Sequence, residues 1–363
     1  MKMIMRWFPH GDDSVPIEYI RQVPGVSGVA VMLSRIPVGE VWPLEAVVEV
    51  RDVVHAAGLE MEVIESVNIH EDIKKGLPTR DRYIENYRTT IHNLGQAGVK
   101  CLCYNFMPVL DWARSALAHK LPDNSTVLSY RDAEVRAGNP AEMARSMAGE
   151  SGGYSLPGWE PERIPAMAAD IEFYQNVAQN EYWKNMKYFL DAVVPVAEES
   201  GIRMAIHPDD PPWELFGLPK VIGNLENIRK LLALHDSKAN GVTMCTGSLG
   251  ADQGNDMPAI ARELAALDRL PFVHLRNVKH LTPRDFDESA HLSQCGDHDM
   301  FAIVKALYDS GFDGYIRPDH GRMIWGEEAR PGYGLYDRAL GANYILGLWE
   351  AVAKMTPRRA VAS

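Results

Sequence analysis

The feature that most constrains this chain is a repeated alternation of eight short β-rich runs, each followed by an amphipathic stretch. The runs are 3–8 (MIMRWF), 26–33 (VSGVAVML), 59–66 (LEMEVIES), 99–106 (VKCLCYNF), 203–208 (RMAIHP), 241–247 (GVTMCTG), 271–277 (PFVHLRN) and 314–320 (GYIRPDH). Helical periodicity fills 43–58, 80–98, 181–201 and 300–311, and these segments close on Gly58, Gly98, Gly201 and Gly311, as helix C-termini do. Strands separated by helices pair in parallel, and eight such units suit a closed (β/α)8 TIM barrel better than an open doubly wound sheet. No G-x-G-x-x-G turn follows the first run, which lowers the dinucleotide-binding alternative. The 363 residues are therefore expected to form one barrel domain, 1–363.

One interval breaks the rhythm. Residues 110–165, rich in Pro, Gly and charge, are too long for a connecting loop, and such excursions are usually lids or disordered. Because the segment follows the fourth strand, it should leave from the C-terminal face of the barrel, where active sites lie.

Composition excludes several other classes. A hydrophobic fraction of 46% with 24% charged residues is that of a soluble globular protein. A net charge of -12 argues against a nucleic-acid groove, which needs a basic stripe. The first residues hold no apolar core long enough for a signal peptide, and no apolar run reaches the roughly 18 residues of a membrane span, so a cytoplasmic protein without a membrane partner is expected. Cys101, Cys103, Cys245 and Cys295 make no disulfide framework in such a chain, and free thiols are the default.

Four consecutive strands end in the same manner. The fifth ends on His207, the sixth carries Cys245, the seventh carries His274, and the eighth ends with Asp319 and His320. In a parallel barrel these ends share one rim, so the side chains can converge into a shell for a divalent transition metal. A lone strand histidine is more often a core residue, and a buried cysteine is usually a small hydrophobe. That bland reading suits Cys101, Cys103 and Cys295, but coincidence over four neighbouring strands is hard to sustain. Asp209 and Asp210 read as capping and turn residues in the proline-rich stretch after His207. Around the rim, Arg276, Asn277 and Lys279 follow His274, Arg317 precedes Asp319, and Asn105 lies near the end of the fourth run; cations there suit a carboxylate substrate. The glycine-rich segment 329–341 either presents Tyr333 over the rim or serves only as a turn into the last helix.

The motifs CYNFMPVLDW, IHPDDPP, MCTGSLG, HLRNVK, RPDHG and PGYG together resemble the mannonate dehydratase family of hexuronate degradation, with similarity from RWF near the N-terminus to the last helix. The resemblance implies a (β/α)8 fold, a Mn2+, Fe2+ or similar divalent ion, and dehydration of D-mannonate to 2-keto-3-deoxy-D-gluconate. Carried onto this sequence it makes His207, Cys245, His274 and Asp319 the metal ligands and Arg317, His320 and Tyr333 the catalytic group. It leaves Arg276, Asn277, Lys279 and Asn105 to bind the aldonate. The chain is short for the family, so a small cap is expected, and the expected assembly is a homodimer. Either His320 or Tyr333 can serve as base or acid once its pKa is tuned. A metal-dependent sugar isomerase or endonuclease on the same barrel would use His, Asp and Glu ligands, which Cys245 tells against. A non-catalytic sugar-acid-binding protein would lack the His320 and Tyr333 pair.

Overall fold

The computed structural model describes residues 1–154, 156, 158–159 and 164–356. Twelve strands follow one another in these residues: β1 (Lys2–Arg6), β2 (Val26–Val31), β3 (Glu60–Glu65), β4 (Cys101–Tyr104), β5 (Ala116–Lys120), β6 (Thr126–Tyr130), β7 (Arg203–Ile206), β8 (Asn240–Cys245), β9 (Phe272–Leu275), β10 (Asn277–His280), β11 (Phe286–Ser289) and β12 (Tyr315–Pro318). Eight of them close a parallel barrel, running β1, β2, β3, β4, β7, β8, β9, β12 and back to β1. All eight expected runs are barrel strands.

Alternation within the strands explains the closure. Ile4, Ala30, Val63, Cys101, Cys103, Ala205 and Phe272 form one buried cluster that fills the barrel. Their strand neighbours Met3, Met5, Val29, Val31, Ile64, Leu102, Met204 and Ile206 belong to the surrounding core, against the helices. Residues one apart thus face opposite sides of the sheet, and small interior side chains match the narrow lumen. The helices Leu44–Ala56, Arg80–Gln96, Gln179–Glu199 and Met300–Asp309 cover the outside. Gly58, Gly98, Gly201 and Gly311 follow them with φ of 75°, 93°, 66° and 80°, the left-handed region that stops a helix. Among the described residues no helix is long and apolar enough to cross a membrane.

The sequence runs overshoot the strands at their C-terminal ends. The run 271–277 is in fact two strands, broken at Arg276, where the chain leaves the barrel ladder and begins β10. The remaining strands form a second, antiparallel sheet ordered β10-β11-β6-β5. Two excursions build it: β5 and β6 come from the expected insertion after β4, and β10 and β11 from a second one after β9. They join where Tyr130 pairs with Phe286 and Ser129 with Asp287. The rings of Tyr130 and Phe286 stack at 5.5 Å, and Arg131 reaches Asp287 at 2.7 Å. The first excursion continues through the helices Asp132–Ala137 and Pro140–Glu150; its Ser155, Pro157 and residues 160–163 lie outside the described residues.

Candidate active site

At the C-terminal rim, ligand atoms of His207, Cys245 and His274 lie within 4.8 Å of one another. Register accounts for the meeting: Cys245 on β8 sits opposite His274 on β9, which sits opposite Arg317 on β12. Asp319 lies two residues further, its N–H donating to Leu275 O, and its Oδ2 is 3.3 Å from Cys245 Sγ and its Oδ1 3.9 Å from His274 Nδ1. His207 follows β7 and lies 2.8 Å from the Pro208 carbonyl through Nδ1. That carbonyl can only accept, so Nδ1 carries the proton and the Nε2 lone pair is left for an ion.

The donor set fits a divalent transition metal. Burial holds both imidazoles below the usual histidine range, His274 at about 4, so each is neutral near pH 7, as a ligand must be. His274 Nε2 is buried and lacks a hydrogen bond, with Glu65 Oε2 3.5 Å away. Burial, reinforced by Asp319, pushes the Cys245 thiol up to about 12, against the pull of Arg276. Ser248 donates to the same sulfur from N–H and hydroxyl, at 3.4 and 3.1 Å, and these donors suit a thiolate. Burial opposes ionisation of Asp319, but Arg317, His320 and Arg276 outweigh it and hold the carboxyl well below its usual range.

Beside these groups stands a buried lattice of arginines and carboxylates. Arg276 lies 2.8 Å from Glu288, 3.2 Å from Asp210 and 3.5 Å from Asp319. Arg114, from the first excursion, grips Asp210 at 2.8 Å and Glu288 at 2.8 Å. His320 is held through Nδ1, which is 2.9 Å from Glu288 Oε2 and 2.6 Å from Arg276 Nη1, while its Nε2 lies 3.9 Å from Asp319. Burial would raise the Glu288 pKa, but Arg276, His320 and Arg114 bring it to about 2.

Tyr333 lines the cleft beside His320. Gly332, at φ 79°, turns the chain, and a Cβ there would come within 3.1 Å of the His320 ring, so this turn requires glycine. The Tyr333 ring meets His320 edge-on at 5.0 Å and Phe8 at 5.2 Å. Burial raises its hydroxyl pKa, keeping it protonated. The cleft encloses about 760 Å³, part of it open to solvent, and Asn105, His207, Asp210, Arg276, Arg317, Asp319, His320 and Tyr333 are among its lining. Asp111, Trp112, Leu128 and Leu156 of the first excursion close it from above.

The structure brings most of the expected residues together and redirects a few. Asn277 and Lys279 do not line the cleft: they belong to β10, where Asn277 is tied to Leu292 O and the His298 N–H, and exposed Lys279 pairs with Asp297. The antiparallel turn after Arg276 carries them off the rim. Asp209 is a turn residue as expected, accepting from the Val221 and Ile222 N–H groups, whereas Asp210 belongs to the arginine lattice. Cys101 and Cys103 are buried in the barrel and Cys295 is exposed. Sequence reasoning missed Glu65, Glu288, Arg6 and Arg114. Glu65 and Arg6 carried a usable signal, since each ends a barrel strand; Glu288 and Arg114 carried none.

A parallel barrel whose rim gathers two histidines, a cysteine and an aspartate beside a histidine and a tyrosine defines the class of TIM-barrel enzymes with a metal-ligand centre. The model of D-mannonate dehydratase (UxuA) matches residues 1–359. The chain is 54% identical over 358 residues to mannonate dehydratase of Thermotoga neapolitana, covering 99% of each chain. It is 53% identical over 359 residues to that of Geobacillus thermodenitrificans, covering 99% of this chain and 97% of the relative. The crystal structure of mannonate dehydratase from Streptococcus suis serotype 2 superposes with a TM-score of 0.88 at 44% identity, over 100% of this chain and 97% of that one. The chain belongs to the D-mannonate dehydratase family. It is not short beside these relatives, contrary to the expectation from the sequence.

Proposed function

We propose that this enzyme converts D-mannonate to 2-keto-3-deoxy-D-gluconate and water, with Mn2+ or Fe2+ held by His207, Cys245, His274 and Asp319. The observation that carries the reading is the gathering of His207, Cys245 and His274 within ligand distance of one another, with Asp319 3.3 Å from Cys245, beside a cleft lined by His207, Asp319, His320 and Tyr333. A divalent cation bound there supplies Lewis acidity to the oxygens at the acid end of the substrate. Arg317, ion-paired at 2.7 Å to both Glu65 and Asp319, adds fixed positive charge where negative charge develops on the carboxylate during proton removal.

His320 and Tyr333 divide the proton transfers. Glu288, 2.9 Å from Nδ1, favours the tautomer protonated there, which leaves the Nε2 lone pair of His320 to take the C2 proton. Tyr333, kept protonated by burial, gives its proton to the C3 hydroxyl, which departs as water as the C2–C3 double bond forms. The resulting enol ketonises to the 2-keto acid. The excursion 110–165 acts as a cap that limits access of bulk water.

The test is incubation of the purified protein with D-mannonate and Mn2+, with assay for 2-keto acid. Product should form with the ion and cease after EDTA treatment. Undiminished turnover by a metal-free preparation overturns the metal-dependent mechanism.

A further inference from the structure

Four arginines line the cleft, and three are already engaged. Arg276 is locked in the carboxylate lattice, Arg317 is paired with Glu65 and Asp319, and Arg330 donates to the Asp12 carbonyl at 2.6 Å. Arg6, the last residue of β1, differs. It is 3% exposed, and its Nε and Nη1 are buried without a hydrogen-bond partner; the same atoms of Arg317 lack one too, but Arg317 Nη1 lies 2.7 Å from Asp319, whereas no carboxylate comes that close to Arg6. The nearest carboxylate oxygen, Glu65 Oε2, is 4.0 Å from Nη1 and lies 3.5 Å from His274, while the other oxygen of Glu65 takes Arg317 at 2.7 Å. The Phe8 ring, 4.7 Å from the Arg6 guanidinium and 3.8 Å from that of Arg330, supports Arg6 from one side. Buried donors left unpaired are costly, and an arginine whose donors are unused at a cleft wall is suited to a planar anion.

We propose that Arg6 is the specificity-determining residue that holds the substrate carboxylate and selects an aldonate over its neutral counterpart. This rests on the aldonate reading of the cleft and deepens it. Arg6 and Arg317 stand on adjacent strands, β1 and β12, with Glu65 beside both, so a carboxylate arriving there meets two guanidiniums at once. Burial also lowers the Arg6 pKa from its ordinary value, as expected of a cation lacking its full set of acceptors, and an arriving anion relieves that. The contact is already made to the ground-state carboxylate, so its loss must show in substrate binding as well as in turnover.

The experiment is a binding cycle on the Mn2+-loaded protein carrying His320→Asn, which holds D-mannonate without consuming it, with D-mannonate and the neutral, nearly isosteric D-mannonamide as ligands measured by calorimetric competition. With Arg6 in place the acid should be preferred over the amide. In Arg6→Met that preference should shrink by roughly 10- to 100-fold, the worth of a charge-assisted hydrogen bond, with metal content unchanged. Arg6→Lys should fall between, because an ammonium keeps the charge but not the planar fork. If Arg6→Met weakens acid and amide equally, or neither, the assignment is overturned and Arg6 is structural. Failure of the wild type to dehydrate mannonate would instead overturn the functional reading, and the binding cycle distinguishes the two because it needs no turnover.

Discussion

The two walls of the cleft are built on different principles. The ligand wall comes entirely from four adjacent barrel strands, β7, β8, β9 and β12, so the hydrogen-bond register that closes the barrel also sets the spacing of His207, Cys245, His274 and Asp319. The other wall holds His320 through Glu288 on β11 and through Arg276, with Arg114 and Asp210 behind them. Its parts come from both excursions and from the loops after β7, β9 and β12, and they meet through charge rather than through a shared ladder. A donor set fixed by backbone geometry tolerates change poorly at single positions. A lattice of ion pairs distributes its load and depends on pH.

The largest effect should follow from damage to the ligand wall. Cys245→Ser replaces a soft thiolate by a neutral hydroxyl, so metal content should fall and turnover drop by more than about a hundredfold. Cys101→Ser, inside the barrel, should retain the ion; equal metal content in both variants would remove Cys245 from the ligand set. Next in size, His320→Asn and Tyr333→Phe should each keep the ion and bind mannonate while losing roughly a hundredfold or more in turnover. Loss of metal from His320→Asn would make His320 a ligand and merge the two walls into one.

Glu288→Gln sharpens the contrast further. Turnover should fall roughly ten- to hundredfold, as for other partners that orient a functional histidine. Stability should fall as well, by roughly 3–5 kcal/mol at neutral pH, because Arg276 and Arg114 lose a buried partner. The folded pKa of Glu288, about 2, lies below the ordinary 4.5, so its stabilisation is present above 4.5 and is lost as pH falls towards 2. Urea midpoints of wild type and variant should therefore converge between those values; a constant gap would show that Glu288 titrates normally. The smallest effect belongs to Lys279→Ala, which removes an exposed pair with Asp297 and should change KM by less than about twofold.

The difference between the walls also governs what the sequence reveals. Eight strands were legible because interior and exterior residues alternate within short runs bounded by turns, and the gathering of His207, Cys245, His274 and Asp319 followed because strand ends in a parallel barrel must share a rim. Arg276 was legible as a rim cation but not as the point where β9 ends and β10 begins, since HLRNVK reads as one continuous strand. Glu288 could not be found: on its own the stretch FDES has the look of a polar loop. Its role exists only through the fold, which brings it to Arg276 and His320 and, across more than a hundred residues, to Arg114. Arg6 and Glu65 were open to the same argument as His207, but arginine and glutamate at strand ends are common enough to pass as solvated charge.

The junction of β6 with β11 has a consequence for the order in which the enzyme assembles. Arg131 and Asp287 are 156 residues apart, so this seam closes a far longer loop than most barrel contacts, which join successive β–α units. Loop closure of that length is entropically slow to reward, and pairings of this kind are made after local ones. The four strands that bear the proposed donors can pair before the inserted sheet is zipped, whereas Glu288, which holds His320, gains Arg114 and its strand gains β6 only once both excursions have met. During refolding, metal uptake should therefore precede the recovery of catalysis, with the interval between them set by the closing of one seam.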